Sequence, residues 1–542
     1  MIRSSRTVVA LSLALAAIGA LPAVAAAASE QPSVETGVAP RVQDGPPAAT
    51  PLAALGLKAR PRGARRAHGR TTPRSGETGA PTSSLPAAVP AAAPLVNFNG
   101  VSSRDSAETN FGQEFEPPDQ GLCVGNGFVL EPVNSAYTVY DESGQVLAGP
   151  FNVNGPFNEG LREFTSDPRC YYDAADHTWF ATILALGPTE ESSSLDIAVN
   201  SSGDPRTPWT AYKLDTTDKR GKECPCFGDQ PKLGIDADNL YVTADEFSIL
   251  GPQFNGDQLY AFALKDLVSG APTVHFAHFS KLKIAREPAS SIQPAITTGE
   301  APAEYFMDSI DPTETEGDTI GVWALTGGKT IAKGGTPTLS NLILSSERFV
   351  IPLPAAQKGT HTALESGDDR MQQTQFIGGK LWGELSTSVV PPGEKKLHDG
   401  AGWFEVEPSV RKGVIAPATK IAAQGYVTAP GEDFIYPALQ VTPSGHGAMV
   451  GTLSAAKRFP SAAYSLLSPG VGGIQWGPVQ VAAEGSTNYD PNGERWGDYS
   501  WAIMAPNQKA VWLATEYVPP KPSRTADGEH DWGTRVFEVP TG

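Results

Sequence analysis

The stretch SDPRCYYDAADHTWFATIL, residues 166–184, runs from a polar residue and a proline into a short strand-like run. A tight turn and a second apolar run follow. The same order recurs in GDQPKLGIDADNLYVTADEF (228–247), SIQPAITTGEAPAEYFMDS (291–309) and IYPALQVTPSGHGAMVGTLS (435–454). Proline is tolerated at the first residue of a strand, where no ladder hydrogen bond is lost. Three further copies lack it: PPDQGLCVGNGFVLEPVN (117–134), RMQQTQFIGGKLWGELS (370–386) and ERWGDYSWAIMAPNQKAVWLATEY (494–517). The anchors are Asp119, Asp167, Gln230, Gln293, Gln372, Tyr436 and Asp498, spaced by 48, 63, 63, 79, 64 and 62 residues.

Most copies continue into two more strand-like runs, such as SLDIAVN and WTAYKLD after the second anchor. Helical periodicity is nearly absent, so the chain reads as all-β. Four antiparallel strands repeated at this period describe propeller blades. Seven repeats predict a seven-bladed β-propeller over 95–542. The last repeat is short of a strand, and LVNFNGV (95–101) is the spare strand expected to complete it, removing an exposed edge.

Residues 1–28 read as a signal peptide, with Arg3 and Arg6 ahead of an apolar run too short to span a membrane. Residues 29–94 are rich in Pro, Ala, Gly and Ser and read as a disordered linker or pro-segment. Within them, KARPRGARRAHGRTTPR (58–74) carries seven Lys or Arg and no acid. The first 94 residues hold ten basic and four acidic residues of the chain's 41 and 59, which leaves 95–542 at −24. Such a body disfavours nucleic acid as a partner and suits a neutral or cationic ligand outside the cell. A secreted monomer that does not span the membrane is expected, its partner an extracellular glycan or surface polymer. Four cysteines, Cys123, Cys170, Cys224 and Cys226, allow three pairings, and disulfide bridging is expected over metal or redox work.

One loop carries a family resemblance. SSGDPRTPW (201–209) has Ser202, Asp204 and Trp209 at Ser-x-Asp-x-x-x-x-Trp spacing, between the third and fourth strands of the second repeat. This resembles the Asp-box of sialidase-like (BNR-repeat) propellers, although Arg206 and Pro208 replace the usual Gly and Thr. The resemblance implies architecture: the Asp satisfies turn amides and the Trp packs between sheets. It implies no chemistry, because the Asp-box lies away from that family's active site. No Arg-Ile-Pro motif occurs near the first repeat. Arg169, Arg370 and Arg495 sit near inner-strand starts but do not align with the family's arginine triad.

In a propeller, inner-strand starts and second-strand ends share one face of the channel. The anchors are therefore expected to ring one mouth, with Glu131, Asp245 or Glu246, Asp308, Glu384 and Glu516 towards the same end. The candidate acid–base residues are Asp498, Glu516, Asp167, Asp229 and Glu246, paired as Asp229 with Glu246 and Asp498 with Glu516. The candidate substrate-binding residues are Arg169, Arg370, Arg495, Tyr436, Asp119, Gln230 and Gln293. Trp496 and Tyr499 suit either sugar stacking or blade packing. The competing expectation is that such acids cap turn amides or pair with the arginines.

Signals for other chemistry are weak. HFAH (275–278) points its two imidazoles to opposite sides, and HTALE (361–365) lacks a third metal ligand. No metal site is named and no cofactor is required. Structural calcium in the channel would have no EF-hand-type loop to supply it. A glycan-active hydrolase or lyase with carboxylates at the channel mouth is one functional reading. A non-catalytic binding or adhesion propeller is the other, and a purely structural protein a third.

Overall fold

The structure, a computed structural model, describes residues 32–42, 81–84, 89, 91–112, 115–160, 164–187, 192–219, 224–251, 253–312, 314–490, 495–520 and 530–541. The expected signal peptide and the basic stretch 58–74 lie outside these residues.

The first five repeats form antiparallel four-stranded meanders in chain order, and in the sixth Gly473–Trp476 and Gln480–Ala483 both pair with Arg458–Gly470. The first sheet is Cys123–Gly125, Phe128–Val133, Ala136–Asp141 and Val146–Asn152; the second is Phe164–Asp173, Thr178–Leu186, Ser193–Asn200 and Thr210–Asp215. The third comprises Cys226–Ile235, Asn239–Ser248, Phe254–Ala263 and Thr273–Ser280. The fourth begins at Gln293–Thr298, the fifth at Met371–Ile377 and the sixth at Asp433–Val441. The seventh takes Trp501–Met504, Ala510–Tyr517 and Gly533–Pro540, and its fourth strand is Val96–Ser102, paired antiparallel to Gly533–Pro540. The architecture is that of an all-β propeller; no single sheet closes on itself, and only the inner strands of the third, fourth and fifth sheets join, in parallel.

Aromatic side chains fill the spaces between neighbouring sheets. Tyr241 meets Phe306 edge-on between the third and fourth, and Trp382, Trp403 and Trp476 form a chain from the fifth to the sixth. Tyr464 meets Phe537 between the sixth and seventh, and Phe98 meets Tyr140 at 5.0 Å between the seventh and first. Burying such rings contributes most of the favourable energy of the joints. The disulfide Cys123–Cys170 ties the first inner strand to the second, and Cys224–Cys226 closes on itself ahead of the third.

Three of the four proline anchors prove to be bulges, while Gln293-Pro294 pairs in continuous register with Phe306 and Met307. Pairing slips between Ser166 and Arg169, between Asp229 and Lys232, and between Ile435 and Ala438. Each slip brackets an anchor and its proline. Asp119, Asp167, Gln230 and Tyr436 all take left-handed backbone, with φ of 47°, 57°, 48° and 52°. Non-glycine residues adopt this region only where surrounding structure enforces it.

One expectation fails. The stretch 29–94 was expected to be disordered, yet Ser33–Pro40 forms a strand paired antiparallel along Thr273–Ser280, on the outer edge of the third sheet. Val34, Thr36 and Val38 alternate along one side of it, a strand signal that the segment's average composition hides. Further on, Thr82 bridges to Val390, and Tyr464 donates to the Ala92 carbonyl at 2.6 Å.

The Asp-box-like loop does what the resemblance implies. Asp204 Oδ1 accepts from the Arg206 amide at 3.0 Å, Ser202 Oγ donates to the Asp204 carbonyl at 3.1 Å, and Trp209 packs on the core between the first two sheets.

Candidate functional site

A chain of polar contacts crosses between sheets at the starts of the inner strands. Arg495 Nη2 donates to both carboxylate oxygens of Asp498, at 2.8 and 2.7 Å. Gln230 Nε2 donates to Asp498 Oδ2 at 3.2 Å, and Arg370 Nη1 donates to the Gln230 side-chain carbonyl. Arg370 also grips Asp368 with Nε at 2.6 Å and Nη2 at 2.5 Å. Glu365 lies 3.7 Å from Arg495 Nε. Sheets three, five and seven thus meet at one point.

Beneath this layer the acids are sealed. Asp119 accepts from Asn134 Nδ2 at 2.8 Å and from the Asp498 amide at 2.9 Å. Burial, reinforced by Asp498 and Asp167, holds its carboxyl well above the usual range. Asp167 accepts from the Tyr499 hydroxyl at 2.8 Å and is also pushed up, mainly by burial. The Arg169 guanidinium lies 3.2 Å from the centre of the Tyr499 ring and 4.7 Å from that of Trp501, with burial lowering its pKa. Tyr436 and Trp496 are buried at 2% and 0% exposure, so neither offers a face for sugar stacking.

The expected pairing of Asp229 with Glu246 is replaced. In the ladder Asp229 stands opposite Asp245, and Gly228 opposite Glu246. Successive strand residues face opposite ways, and Glu246 instead accepts from Gln258 Nε2 at 2.8 Å. Asp245 binds Lys232 Nζ at 3.0 Å and accepts from the Ser291 amide and hydroxyl, both at 2.8 Å. Burial would raise its pKa, but Lys232 and Arg370 override that and hold it down at about 2. Burial, then the Asp498 charge, raises Glu516. A Cβ on Gly497 would fall 2.3 Å from Glu516 Oε2, so this approach needs glycine.

Asp229 differs from its neighbours. It is half-buried at the mouth, and Oδ1 accepts from the Gln230 amide at 3.1 Å. Desolvation first, then Asp167, Asp245 and Asp498, push its carboxyl up to about 7. Gln293 and Gln372 lie buried in the inner strands of the fourth and fifth sheets, at 3% and 7% exposure.

Second-strand acids are structural. Asp308 accepts from Trp323 Nε1 at 2.5 Å and from the Ile310 amide at 2.9 Å. Glu131 accepts from the Val101 amide at 2.9 Å, from Tyr140, and from Thr534 Oγ1. Glu384 is wholly buried. Sequence reasoning missed Asp368 and Glu365, although ESGDDR (365–370) is dense in acid beside Arg370, and it missed Lys232 and Asp257. His275 and His278 have separate partners, Asp266 and Gln258, as their spacing predicts. Among the described residues, no group of three His, Cys, Asp or Glu side chains is set to hold a metal ion, and no helix is long and apolar enough to cross a membrane.

No family model matches the chain, and no curated protein does. Among solved structures, the chain is similar to a phage phi92 endosialidase at 9% identity, covering 83% of this chain and 69% of that one, with a TM-score of 0.31. A Penicillium chrysogenum α-L-arabinanase complexed with arabinobiose gives 10% identity, 82% and 98% coverage and 0.34. The Dos1 propeller gives 9% identity, 82% and 94% coverage and 0.35.

Proposed function

We propose that this is a secreted, glycan-active, seven-bladed propeller closed by its N-terminal strand, acting as a hydrolase at the mouth described above. The observation that carries this reading is Asp229: a half-buried carboxyl whose pKa of about 7 lets it hold a proton near neutrality. Asp498, clamped by Arg495, supplies the charged partner carboxylate. Asp229 would donate its proton to the departing glycosidic oxygen while Asp498 supports the developing positive charge or its water. Arg370 spends three donors on Asp368 and Gln230, and Arg495 is held by Asp498, so neither offers a free guanidinium fork to a sugar carboxylate. The substrate class is therefore a neutral or amino sugar rather than a sialic or uronic acid.

The test is a turnover screen on neutral, amino-sugar and acidic polysaccharides with wild type, D229N and D498N. Release of sugar by wild type alone supports the assignment; turnover by D229N at the wild-type rate removes it. A second reading, a non-catalytic glycan-binding propeller, draws on how many acids are already satisfied by protein donors: Asp119, Asp167 and Asp245. It predicts saturable glycan binding without turnover, unchanged in D229N.

A further inference from the structure

The N-terminal strand outside the seventh sheet is better built than a linker requires. Ser33–Pro40 keeps unbroken register with Thr273–Ser280, from Ser33 opposite Ser280 to Pro40 opposite Thr273. Ala39 is 1% exposed and belongs to the core shared with Leu264, Leu267 and Val274, while Val34 packs on the cluster that holds Phe279. Gly37 lies over the Phe276 ring so closely that a Cβ there would stand 2.9 Å from Cζ. The segment then leaves the third sheet and clamps the second: Arg41 bridges to Tyr212, and the Val42 amide donates to the Ala211 carbonyl at 2.8 Å. Backbone pairing over the whole length, one close-approach glycine and one buried anchor are how a sheet edge recognises an extended peptide.

We propose that the outer edge of the third sheet, with the adjoining edge of the second, is a strand-acceptor site, and that its ligand is this chain's own 33–42 segment acting as a separable peptide. The strand is joined to the next body contact, at Thr82, through about 40 residues that could span on the order of 130 Å when extended. Cutting the chain between 43 and 80 would then leave the N-terminal fragment seated. If the cut follows Arg74, the seated fragment carries the basic stretch 58–74 with it. Cleavage would nick the molecule without shedding a pro-segment.

The test uses the full chain with a specific protease site inserted after Gly76. After cleavage, gel filtration at micromolar protein is expected to show the N-terminal fragment eluting with the body. Excess unlabelled peptide 32–42 is expected to displace it. In a G37V chain, where the added side chain meets Phe276, fragment release is expected to be on the order of tenfold faster or more. Immediate separation of the wild-type fragment from a body that keeps its near-UV circular dichroism would overturn the proposal. So would equal retention of wild-type and G37V fragments.

Discussion

Glu131 and Asp229 both hold protons to about pH 7, and both do so first because burial strips their water. They sit in different kinds of place. Glu131 lies at the seam of the first and last sheets and accepts from the Val101 amide, the Thr534 hydroxyl and the Tyr140 hydroxyl. Asp229 lies half-open at the mouth among three other carboxylates. A raised pKa alone therefore does not mark chemistry. What separates the two is the number of protein donors already engaged and the access left to a ligand.

Exchanging the two carboxyls for neutral groups tests this contrast most directly. D229N should lower turnover on a responsive glycan by roughly 10²- to 10⁴-fold, the range of a lost general acid, with little change in melting. A D229N protein that unfolds with wild-type activity per folded molecule would reverse the comparison. E131A should do the opposite. It leaves the Val101 amide and Thr534 hydroxyl buried without their acceptor and should cost on the order of 3 kcal/mol, read by denaturant unfolding. Melting within a degree of wild type would show that the N-terminal strand is held by other contacts.

The pH dependence sharpens the same contrast. A carboxyl whose folded pKa lies above its unfolded one stabilises the fold fully below the unfolded value, and that advantage is lost as pH rises through the folded value. Glu131 runs from 4.5 to about 7, and Asp399 and Asp308 from 3.8 to about 7 and about 6. Stability should therefore fall between about pH 4 and pH 7, by roughly 3 kcal/mol for Glu131 alone. E131Q should flatten that slope by about that share. Asp245, held at about 2, works in the other direction: its contribution is present above 3.8 and is lost as pH falls toward 2. A melting temperature that climbs from pH 5 to pH 8 would contradict the burial of these acids. The smallest expected effect is at the Asp-box-like loop, where D204N loses one exposed ion pair and weakens one turn bond, at about 0.5 kcal/mol.

The repeats, the inner strands and the pairing strand at 96–102 were legible because period and turn chemistry are local properties. The anchors were legible too, and the structure adds that three of their four prolines mark bulges. What the sequence did not carry is which acids meet. Asp498 touches Asp119 and Gln230, 379 and 268 residues away, and no local pattern encodes such neighbours. The pairing of Asp229 with Glu246 failed on a one-residue question of which way a strand side chain faces. Arg370 and Arg495 were expected to offer charge to a ligand, yet flanking Asp368 and Asp498 absorb it. The Ser33–Pro40 strand was lost because composition averaged over 66 residues outweighs eight that alternate.

The bulges at Asp167-Pro168, Gln230-Pro231 and Tyr436-Pro437 act as phase shifters. Each adds one residue to the inner strand only, so the chain before it and the chain after it keep independent inside–outside alternation. The segment ahead of the bulge is thereby free to set mouth side chains such as Asp229. The segment behind it holds the core, as Leu233 does. Deleting Gln230 would remove that independence: either Asp229 or Leu233 would have to exchange faces. The mouth can therefore vary in sequence while the core stays fixed, provided the extra residue remains.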